Sequence, residues 1–453
     1  MINEAKAEQI DCSWRGVIRV TLPAVLTAMS TNLMFSVDRF MLAGYSLDAM
    51  NAVTASGNFV MIFLIAFTGM SSSAETFVGQ YNGAKLYYKL AAPVWQMIYL
   101  SLTSMVIFLP IAYFSEQINF LPPYYLKDGV AYQKIITYWS VLPPINAALS
   151  AFFIGQGKTK VVTLSVVIGL ISNIALNYLL IYGAGNTIPR LGCRGAAIAT
   201  VISEFVQTSI LAALFLETKN RKHYKTLKNH KFNKSLFFRC CRIGIPLSLG
   251  NLMTLLAWYL LQTIMSYVSK DAATVYNIGI NLYVFFIFVG DGINKAVIVI
   301  CSNMIGRDDL ISIEKVRRMF VIVSLFFGLV IAIPLACFPD RIISALDVLP
   351  DNTSDLYSDL KLVISLVAVN TTLETLLLST WGILIAGGDT KYASIVYQTC
   401  FWIFVILPAS ILYFMHMLNS VPMIYMFITV GVATTWFIIH RRYRSLKWCN
   451  KLI

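Results

Sequence analysis

The sequence predicts an all-α polytopic membrane protein with twelve transmembrane helices. Three observations support this fold class: the composition, the length of the apolar segments and the absence of alternating apolar and polar residues within them. The 453-residue chain is 58% hydrophobic and 13% charged, whereas a soluble domain is about half apolar and a quarter charged. Apolar segments reach about twenty residues, enough helix to cross roughly 30 Å of hydrocarbon. Val321–Phe338 and Phe401–Tyr413 are apolar on all sides, which argues against a barrel strand.

Apolar windows separated by charged or turn-forming residues define the twelve predicted spans. The first six cover 16–43, 52–79, 90–115, 131–154, 161–183 and 195–217. The second six cover 241–267, 273–304, 317–338, 360–386, 392–414 and 418–439. The first fifteen residues are charged and contain no apolar segment, so no cleavable signal peptide is expected.

Lysine and arginine concentrate in the loops that share a side with the amino terminus. The connection between spans six and seven contains Lys219, Arg221, Lys222, Lys225, Lys228, Lys231, Lys234, Arg239 and Arg242. The loop after span nine instead contains Asp340, Asp347, Asp351, Asp355 and Asp359. The positive-inside rule therefore predicts that both termini are cytoplasmic. We expect a multi-pass protein of the plasma (inner) membrane. Because topology accounts for the net charge of +13, no nucleic-acid partner is expected.

An internal repeat divides the chain. A shift of 223 residues places landmark residues on one another: Leu22-Pro23 on Ile245-Pro246, Asp48-Ala49 on Asp271-Ala272, Gly69 on Gly292 and Gly83 on Gly306. At a shift of 231, Gly157–Lys160 matches Gly388–Lys391. The repeat predicts an amino-terminal six-helix lobe (1–217), a basic cytoplasmic linker (218–240) and a carboxy-terminal six-helix lobe with a basic tail (241–453).

Two lobes of six spans each enter the membrane from the same side. They are therefore expected to be related by a pseudo-twofold axis along the membrane normal, with a cleft between them. Transporters bind substrate near the midplane of such a cleft and rock between inward and outward states.

Acidic residues inside predicted spans are candidates for function, because a charge there costs about 2.5–3.5 kcal/mol by insertion scales. Asp38 lies near the outer end of span one, and Pro23 provides a joint in the same helix. A proton or a sodium ion could bind Asp38. Glu374 stands among threonines that could supply oxygen ligands to a hard cation such as sodium.

Other polar residues in the spans allow two interpretations. Asp291 and Lys295 lie four residues apart and are expected to form a structural ion pair. Glu75 follows three serines and could simply be hydrogen-bonded. The remaining candidates either bind ligands or serve as helix ties and interfacial anchors: Asn173, Asn177 and Thr200 for a cation, and Trp258, Tyr259 and Gln262, together with Asp291, for a drug-binding cleft.

Signals for an enzyme are weak. Gly155–Thr159 is similar to the end of a P-loop, but Phe152 occupies the position of the first glycine. The eight cysteines and four histidines show no metal-binding spacing. We therefore expect no catalytic residues and no cofactor apart from a coupling ion, so that an ion gradient would drive transport.

Several motifs in order resemble the multidrug and toxic compound extrusion (MATE) family. They are Leu22-Pro23 with Val37–Gly44, Gly79–Ala84, Gly192–Thr200 and Gly387–Thr390. The resemblance covers essentially the whole chain. It implies two six-helix lobes forming a V and export of cationic amphiphiles against proton or sodium influx.

The resemblance also implies roles for individual residues. Asp38 matches the coupling acid of span one, and Asn173 and Thr200 match its neighbours. Asn177 stands where many members have aspartate, which favours a proton over sodium. Glu374 matches an acid of a carboxy-lobe cation site, whose partner glutamate is replaced by Thr254.

The sequence thus predicts a cation-coupled secondary antiporter for organic cations or amphiphilic drugs. Its partners would be the lipid bilayer and a small substrate, with no obligate protein partner. A lipid-linked oligosaccharide flippase of the same superfamily is an alternative, but its cleft would be rich in arginine and lysine. A membrane receptor is a second alternative.

Overall fold

The computed structural model describes residues 10–118, 126–183, 189–346, 355–418 and 420–449. The first part of the chain forms α1 (Trp14–Tyr45), α2 (Leu47–Ser72), α3 (Ala74–Gly83), α4 (Ala91–Thr103), α5 (Met105–Tyr113), α6 (Ser115–Ile118), α7 (Leu126–Tyr138), α8 (Leu142–Gly155), α9 (Thr159–Tyr182) and α10 (Cys193–Phe215). The second part forms α11 (Thr218–Tyr224), α12 (Lys234–Val268), α13 (Lys270–Gly306), α14 (Leu310–Cys337), α15 (Pro339–Leu346), α16 (Asp355–Ala386), α17 (Thr390–Phe401), α18 (Leu407–Phe414) and α19 (Val421–Arg444).

The structure confirms an all-α polytopic membrane protein. Eleven helices of the described chain are long and apolar enough to cross a membrane, and the bent pair of α7 and α8 makes up to twelve. All twelve predicted spans overlap these helices. The fourth span was predicted as continuous over 131–154, but it is bent by 42° between Tyr138 and Leu142. Pro143 and Pro144 follow the break, and neither can donate a helical backbone hydrogen bond.

Equivalent caps begin the second helix of each repeat. The Ser46 hydroxyl accepts a hydrogen bond from Ala49 N at 3.4 Å, and the Ser269 hydroxyl accepts one from Ala272 N at 2.9 Å. Both serines have extended backbone, with φ of −166° and −167°. Since a serine cap satisfies a backbone donor that the helix leaves free, the match of Asp48 with Asp271 reflects a repeated helix start.

The second repeated motif is a turn before a helix. Gly157 and Gly388 have φ of +75° and +78°, in the left-handed region that favours glycine. Helices α9 and α17 begin at Thr159 and Thr390, two residues after these glycines. The repeat seen in the sequence is therefore also a repeat of backbone conformation.

Basic residues mark one end of the helix bundle, called here the basic end. It is formed by the turns at 84–86, 156–158, 307–309 and 387–389, by residues 216–233 and by residues 445–449. At the opposite end, Asp340 in α15 forms an ion pair with Lys361 at 3.1 Å. Of the acids predicted for that loop, Asp347 and Asp351 lie outside the described residues.

The predicted linker is partly helical and is held against the amino-terminal helices. α11 begins at Thr218, and α12 begins at Lys234, inside the predicted linker, because Asn233 caps it by accepting from Leu236 N at 3.0 Å. Trp95 in α4 donates its indole N–H to the carbonyl of Thr226 at 2.7 Å. The connection is thus docked on α4.

Glycines bring the two repeats together at the basic end. A Cβ on Gly83 would lie 1.9 Å from the carbonyl oxygen of Asn303, and one on Gly79 would lie 1.9 Å from the Ser302 hydroxyl. The Asn82 amide donates to Asn303 Oδ1 at 2.7 Å. Helix α3 of the first repeat therefore packs closely against the end of α13 in the second.

Candidate functional site

Asp38 is the centre of a polar cluster formed by three helices. Its side chain is buried near the end of α1 that lies away from the basic end, with the residue 3% exposed. The Thr200 hydroxyl in α10 donates to Asp38 Oδ2 at 2.9 Å, and the Asn177 amide in α9 donates to Asp38 Oδ1. The structure thus brings together Asp38, Asn177 and Thr200, which are distant in sequence.

Asn173 joins this cluster through Asn177. The Asn177 amide donates to Asn173 Oδ1 at 3.1 Å, and both side chains are fully buried. Within the described chain, Asn177 Oδ1 has no hydrogen-bond partner. Buried polar atoms are normally paired, so an unpaired acceptor beside a carboxylate suits a proton or a small cation.

Pro23 lies inside α1, which continues as one helix from Trp14 to Tyr45. Its carbonyl oxygen accepts from the Thr27 and Thr163 hydroxyls, each at 2.8 Å. Because Thr163 belongs to α9, the predicted joint of α1 is tied to the helix that carries Asn173 and Asn177.

A cavity that is partly open to the outside lies within the amino-terminal helices. Its polar lining includes Asp38, Arg39, Thr200 and Glu204. Residues of α2, α7 and α10 form most of the remaining wall, together with the break between α7 and α8 at Trp139 and Ser140. The bend in the fourth span therefore contributes directly to the cavity.

Glu204 is a functional candidate that our sequence interpretation missed. It lies halfway along α10, and its Oε2 accepts from the Asn146 amide at 3.5 Å. The same rule that selected Asp38 would have found it, because Glu204 is an acid inside a predicted span.

Glu374 is buried in the carboxy-terminal helices and is 4% exposed. The Tyr397 hydroxyl donates to its Oε1 at 3.3 Å, whereas Oε2 has no partner among the described residues. The neighbouring threonines donate to carbonyls of their own helix: Thr371 to Val367, Thr372 to Ala368 and Thr375 to Thr371. Thr254, at the position of the expected partner acid, accepts from the Gln398 amide at 2.8 Å.

The expected ion pair between Asp291 and Lys295 is not formed. The two residues are close enough to attract each other, but they share no hydrogen bond or ion pair. Lys295 also attracts Glu75 of the first repeat, whose buried Oε1 lacks a partner in the described chain. Spacing along one helix predicted a common face, but it could not show that a third residue from the other lobe approaches Lys295.

The predicted aromatic cleft residues have different surroundings. The Trp258 ring packs between Tyr283 and Phe401, with centroid distances of 5.7 and 5.3 Å. Tyr259 is 68% exposed, whereas Gln262 is half-buried. Trp258 is therefore enclosed by carboxy-terminal helices, and these three residues do not line the cavity around Asp38.

Comparisons with known proteins agree with this architecture. A model of the MatE family matches residues 23–179 and 246–411. The chain is 25% identical over 347 residues to the probable multidrug resistance protein NorM of Thermotoga maritima, covering 75% of this chain and 74% of that protein. It is 26% identical over 342 residues to the probable multidrug resistance protein YoeA of Bacillus subtilis, covering 73% of each.

A solved structure shows the same fold over nearly the whole chain. It is described as the outward-facing conformation of a multidrug resistance MATE family transporter of the MOP superfamily. The TM-score is 0.82 at 16% sequence identity, and the match covers 95% of this chain and 96% of that one.

Proposed function

This chain belongs to the MatE family, and we propose that it is a cation-coupled antiporter that exports organic cations or amphiphilic drugs by alternating access. Two curated relatives have names that describe them as multidrug resistance proteins. The observation that carries the proposal is the buried Asp38 carboxylate with donors from α9 and α10.

Asp38 is the proposed coupling residue because binding of a proton changes its hydrogen bonding. In the ionised state both carboxylate oxygens accept, one from Asn177 and one from Thr200. A protonated carboxyl group becomes a donor at one oxygen. Asn177 can respond by rotating its amide so that Oδ1, which has no partner in the described chain, accepts that proton. Loading would thus rearrange the contact between α1 and α9.

The same helix can transmit this change to the other lobe. Val25 lies thirteen residues before Asp38, or about 20 Å along α1. A Cβ on Gly292 in α13 would lie 2.4 Å from the Val25 Cα, so the two helices touch at the backbone. A coupling ion drives exchange only if it favours one arrangement of the lobes over the other. α1 contains both the ion-binding residue and a lobe contact.

We favour a proton over sodium as the coupling ion. The Thr200 hydroxyl and the Asn177 amide both direct hydrogen atoms at Asp38. Sodium needs oxygen ligands that direct lone pairs toward it, whereas a proton needs only one carboxylate oxygen. A sodium ion at Asp38 would require both donors to turn. Sodium at Glu374 is the other option, with Tyr397 as a neighbour.

The basic end determines the proposed orientation of the protein in the membrane. By the positive-inside rule this end would face the cytoplasm, with both termini on that side. We propose the plasma (inner) membrane as the location. Contacts such as Gly83 with Asn303 join the lobes there. The described conformation would then be closed to the cytoplasm, and a rocking motion would have to separate these contacts before substrate enters.

The cavity contains two acids, Asp38 and Glu204, and one arginine, Arg39. An excess of carboxylates favours cationic cargo over a pyrophosphate-linked lipid, which would require basic residues. No cofactor and no obligate protein partner enter the proposed cycle.

Transport by purified protein in liposomes tests the proposal. Wild-type protein should move preloaded ethidium out when a proton gradient is imposed, and Asp38→Asn should abolish that movement. Asp48→Asn removes an exposed aspartate at the start of α2 and should transport normally. Gradient-driven ethidium transport by the Asp38→Asn variant would reject Asp38 as the coupling residue. Export driven by sodium alone would reject the proton.

A further inference from the structure

We infer that Glu204 forms a substrate-binding subsite for the positive charge of a planar aromatic cation, separate from the ion-coupling carboxylate Asp38. The inference rests on the proposed function and assigns different roles to the two acids of the cavity. Asp38 would exchange the coupling ion, and Glu204 would bind the cargo.

The position of Glu204 suits a substrate site. It is the central residue of α10, which runs from Cys193 to Phe215, so it lies near the middle of the membrane. Thr200, four residues earlier, is on the same face of the helix and donates to Asp38 at 2.9 Å. Asp38 and Glu204 therefore line one cavity, and Thr200, the partner of Asp38, precedes Glu204 by about 6 Å along α10.

The hydrogen bonding of the two acids differs. Both oxygens of Asp38 accept from neighbouring side chains, so its charge is already stabilised. Glu204 has one long contact, from the Asn146 amide to Oε2 at 3.5 Å, and that amide is shared with Gln207 at the same distance. Glu204 lines the cavity, and the hydrogen bond from Asn146 to Oε2 is its only one to a side chain among the described residues.

No positive side chain neutralises Glu204. The described parts of the protein contain no lysine or arginine in an ion pair with it. Arg39, the basic residue of the cavity wall, donates instead to Asn58 Oδ1 at 3.3 Å. An ionised, unpaired carboxylate in the middle of a membrane protein is unfavourable until a proton or a cation neutralises it, and the cargo of an exporter can be that cation.

Aromatic side chains give the subsite its shape. Tyr132 and Trp139 line the same cavity, and Trp139 belongs to the break between α7 and α8. Tyrosine and tryptophan faces attract cations and stack against flat rings. The remaining wall is largely apolar, including Val60, Met61 and Leu64. A carboxylate beside aromatic and aliphatic walls fits a flat organic cation better than a metal ion or a neutral sugar.

Ligand binding to detergent-purified protein tests the subsite. The probes are ethidium, a permanent aromatic cation, and N-phenyl-1-naphthylamine, an aromatic amphiphile that is neutral near pH 7. Glu204→Gln removes the charge while keeping the shape, and should weaken ethidium binding about tenfold or more, as loss of a charge-assisted contact does. Its affinity for the neutral probe should stay close to that of wild type.

Three further variants serve as controls. Glu204→Asp retains the charge and should recover part of the ethidium affinity even if the glutamine variant folds poorly. Glu217→Gln makes the same change just beyond the end of α10 and should bind both probes normally. Asp38→Asn removes a carboxylate whose two oxygens already accept hydrogen bonds, so it should abolish gradient-driven export but weaken ethidium binding less than Glu204→Gln does.

The outcomes separate the two proposals. If wild type exports ethidium but Glu204→Gln binds it with unchanged affinity, the subsite is rejected and the proposed function stands. Equal loss of both probes in Glu204→Gln and Glu204→Asp would also reject it, by showing a purely structural role. If wild type binds and exports no organic cation, the proposed function fails, and the subsite fails with it.

Discussion

Gly83 and Gly306 occupy the same position in the two repeats, and each packs against the backbone of the opposite repeat. A Cβ on Gly83 would lie 1.9 Å from the carbonyl oxygen of Asn303, and a Cβ on Gly306 would lie 2.1 Å from that of Gln80. Gln80 and Asn303 are themselves related by the repeat shift of 223 residues. The lobe contact at the basic end is therefore pseudo-symmetric, and its closeness depends on the absence of side chains.

Replacement of Gly83 by alanine should open this contact. The added methyl group overlaps backbone atoms of Asn303, which cannot move without moving α13. Overpacking of this kind costs about 1–3 kcal/mol, so amide hydrogen exchange in α3 and the end of α13 should accelerate roughly 5- to 150-fold. Gly250→Ala is the matched control, because its Cβ would lie 3.5 Å from Ser394, an ordinary contact. Equal exchange in both variants would contradict the prediction.

Lys295 should couple energetically to Glu75 across the lobes. Removal of the lysine leaves the buried Glu75 carboxylate without its nearby positive charge. Lys295→Met should therefore lower the midpoint temperature of thermal unfolding in detergent. Adding Glu75→Gln should recover part of the lost stability. Coupled residues show interaction energies of about 0.5–3 kcal/mol in such cycles. Strictly additive changes in the midpoint would show that the two residues act independently.

Glu374→Gln should leave most proton-driven export intact. Glu374 accepts one hydrogen bond, from Tyr397 at 3.3 Å, and the threonines beside it donate to their own helix. The Glu374 carboxylate therefore has fewer hydrogen-bond partners than the Asp38 carboxylate. The measurement is ethidium export by Glu374→Gln and Asp38→Asn proteins in parallel liposomes. Loss of export in Glu374→Gln alone would move the coupling site to the carboxy-terminal lobe.

Trp95→Phe should loosen the docked connection between the lobes. Phenylalanine keeps the ring but loses the indole hydrogen bond to Thr226, worth about 0.5–1.5 kcal/mol. Trypsin should then cleave the segment around Lys225 and Lys228 several-fold faster in membrane vesicles in which the basic end of the protein faces outward. Trp402→Phe is the control, since the Trp402 indole N–H has no partner in the described chain. Unchanged cleavage would mean that other contacts hold the segment.

Much of the fold follows from the sequence, because hydrophobic length determines which segments can cross the membrane. All twelve spans were located this way, whereas the bend before Leu142 was not, since the apolar pattern continues across it. The start of α12 was also placed too late. A charged residue such as Lys234 lies outside the apolar window used to predict the span. The helix nevertheless begins at Lys234, because Asn233 caps its first turn.

The candidate site was only partly predictable. Asp38, Asn177 and Thr200 were grouped through motifs, and the structure places them in contact. Spacing within one helix suggested an ion pair of Asp291 with Lys295, but side-chain direction depends on neighbours from the other lobe. Contacts between residues more than two hundred positions apart leave no local pattern in the sequence.

The glycine contact at the basic end also bears on the electrical insulation of the membrane. A plug made of long side chains can leak when one rotamer changes, because a single side chain moves within nanoseconds. Gly83 and Gly306 instead place main-chain atoms against main-chain atoms. Such a seal opens only when whole helices separate, which takes microseconds or longer. For the ion-coupled transport proposed above, such a contact would limit leakage of the driving ion between turnovers.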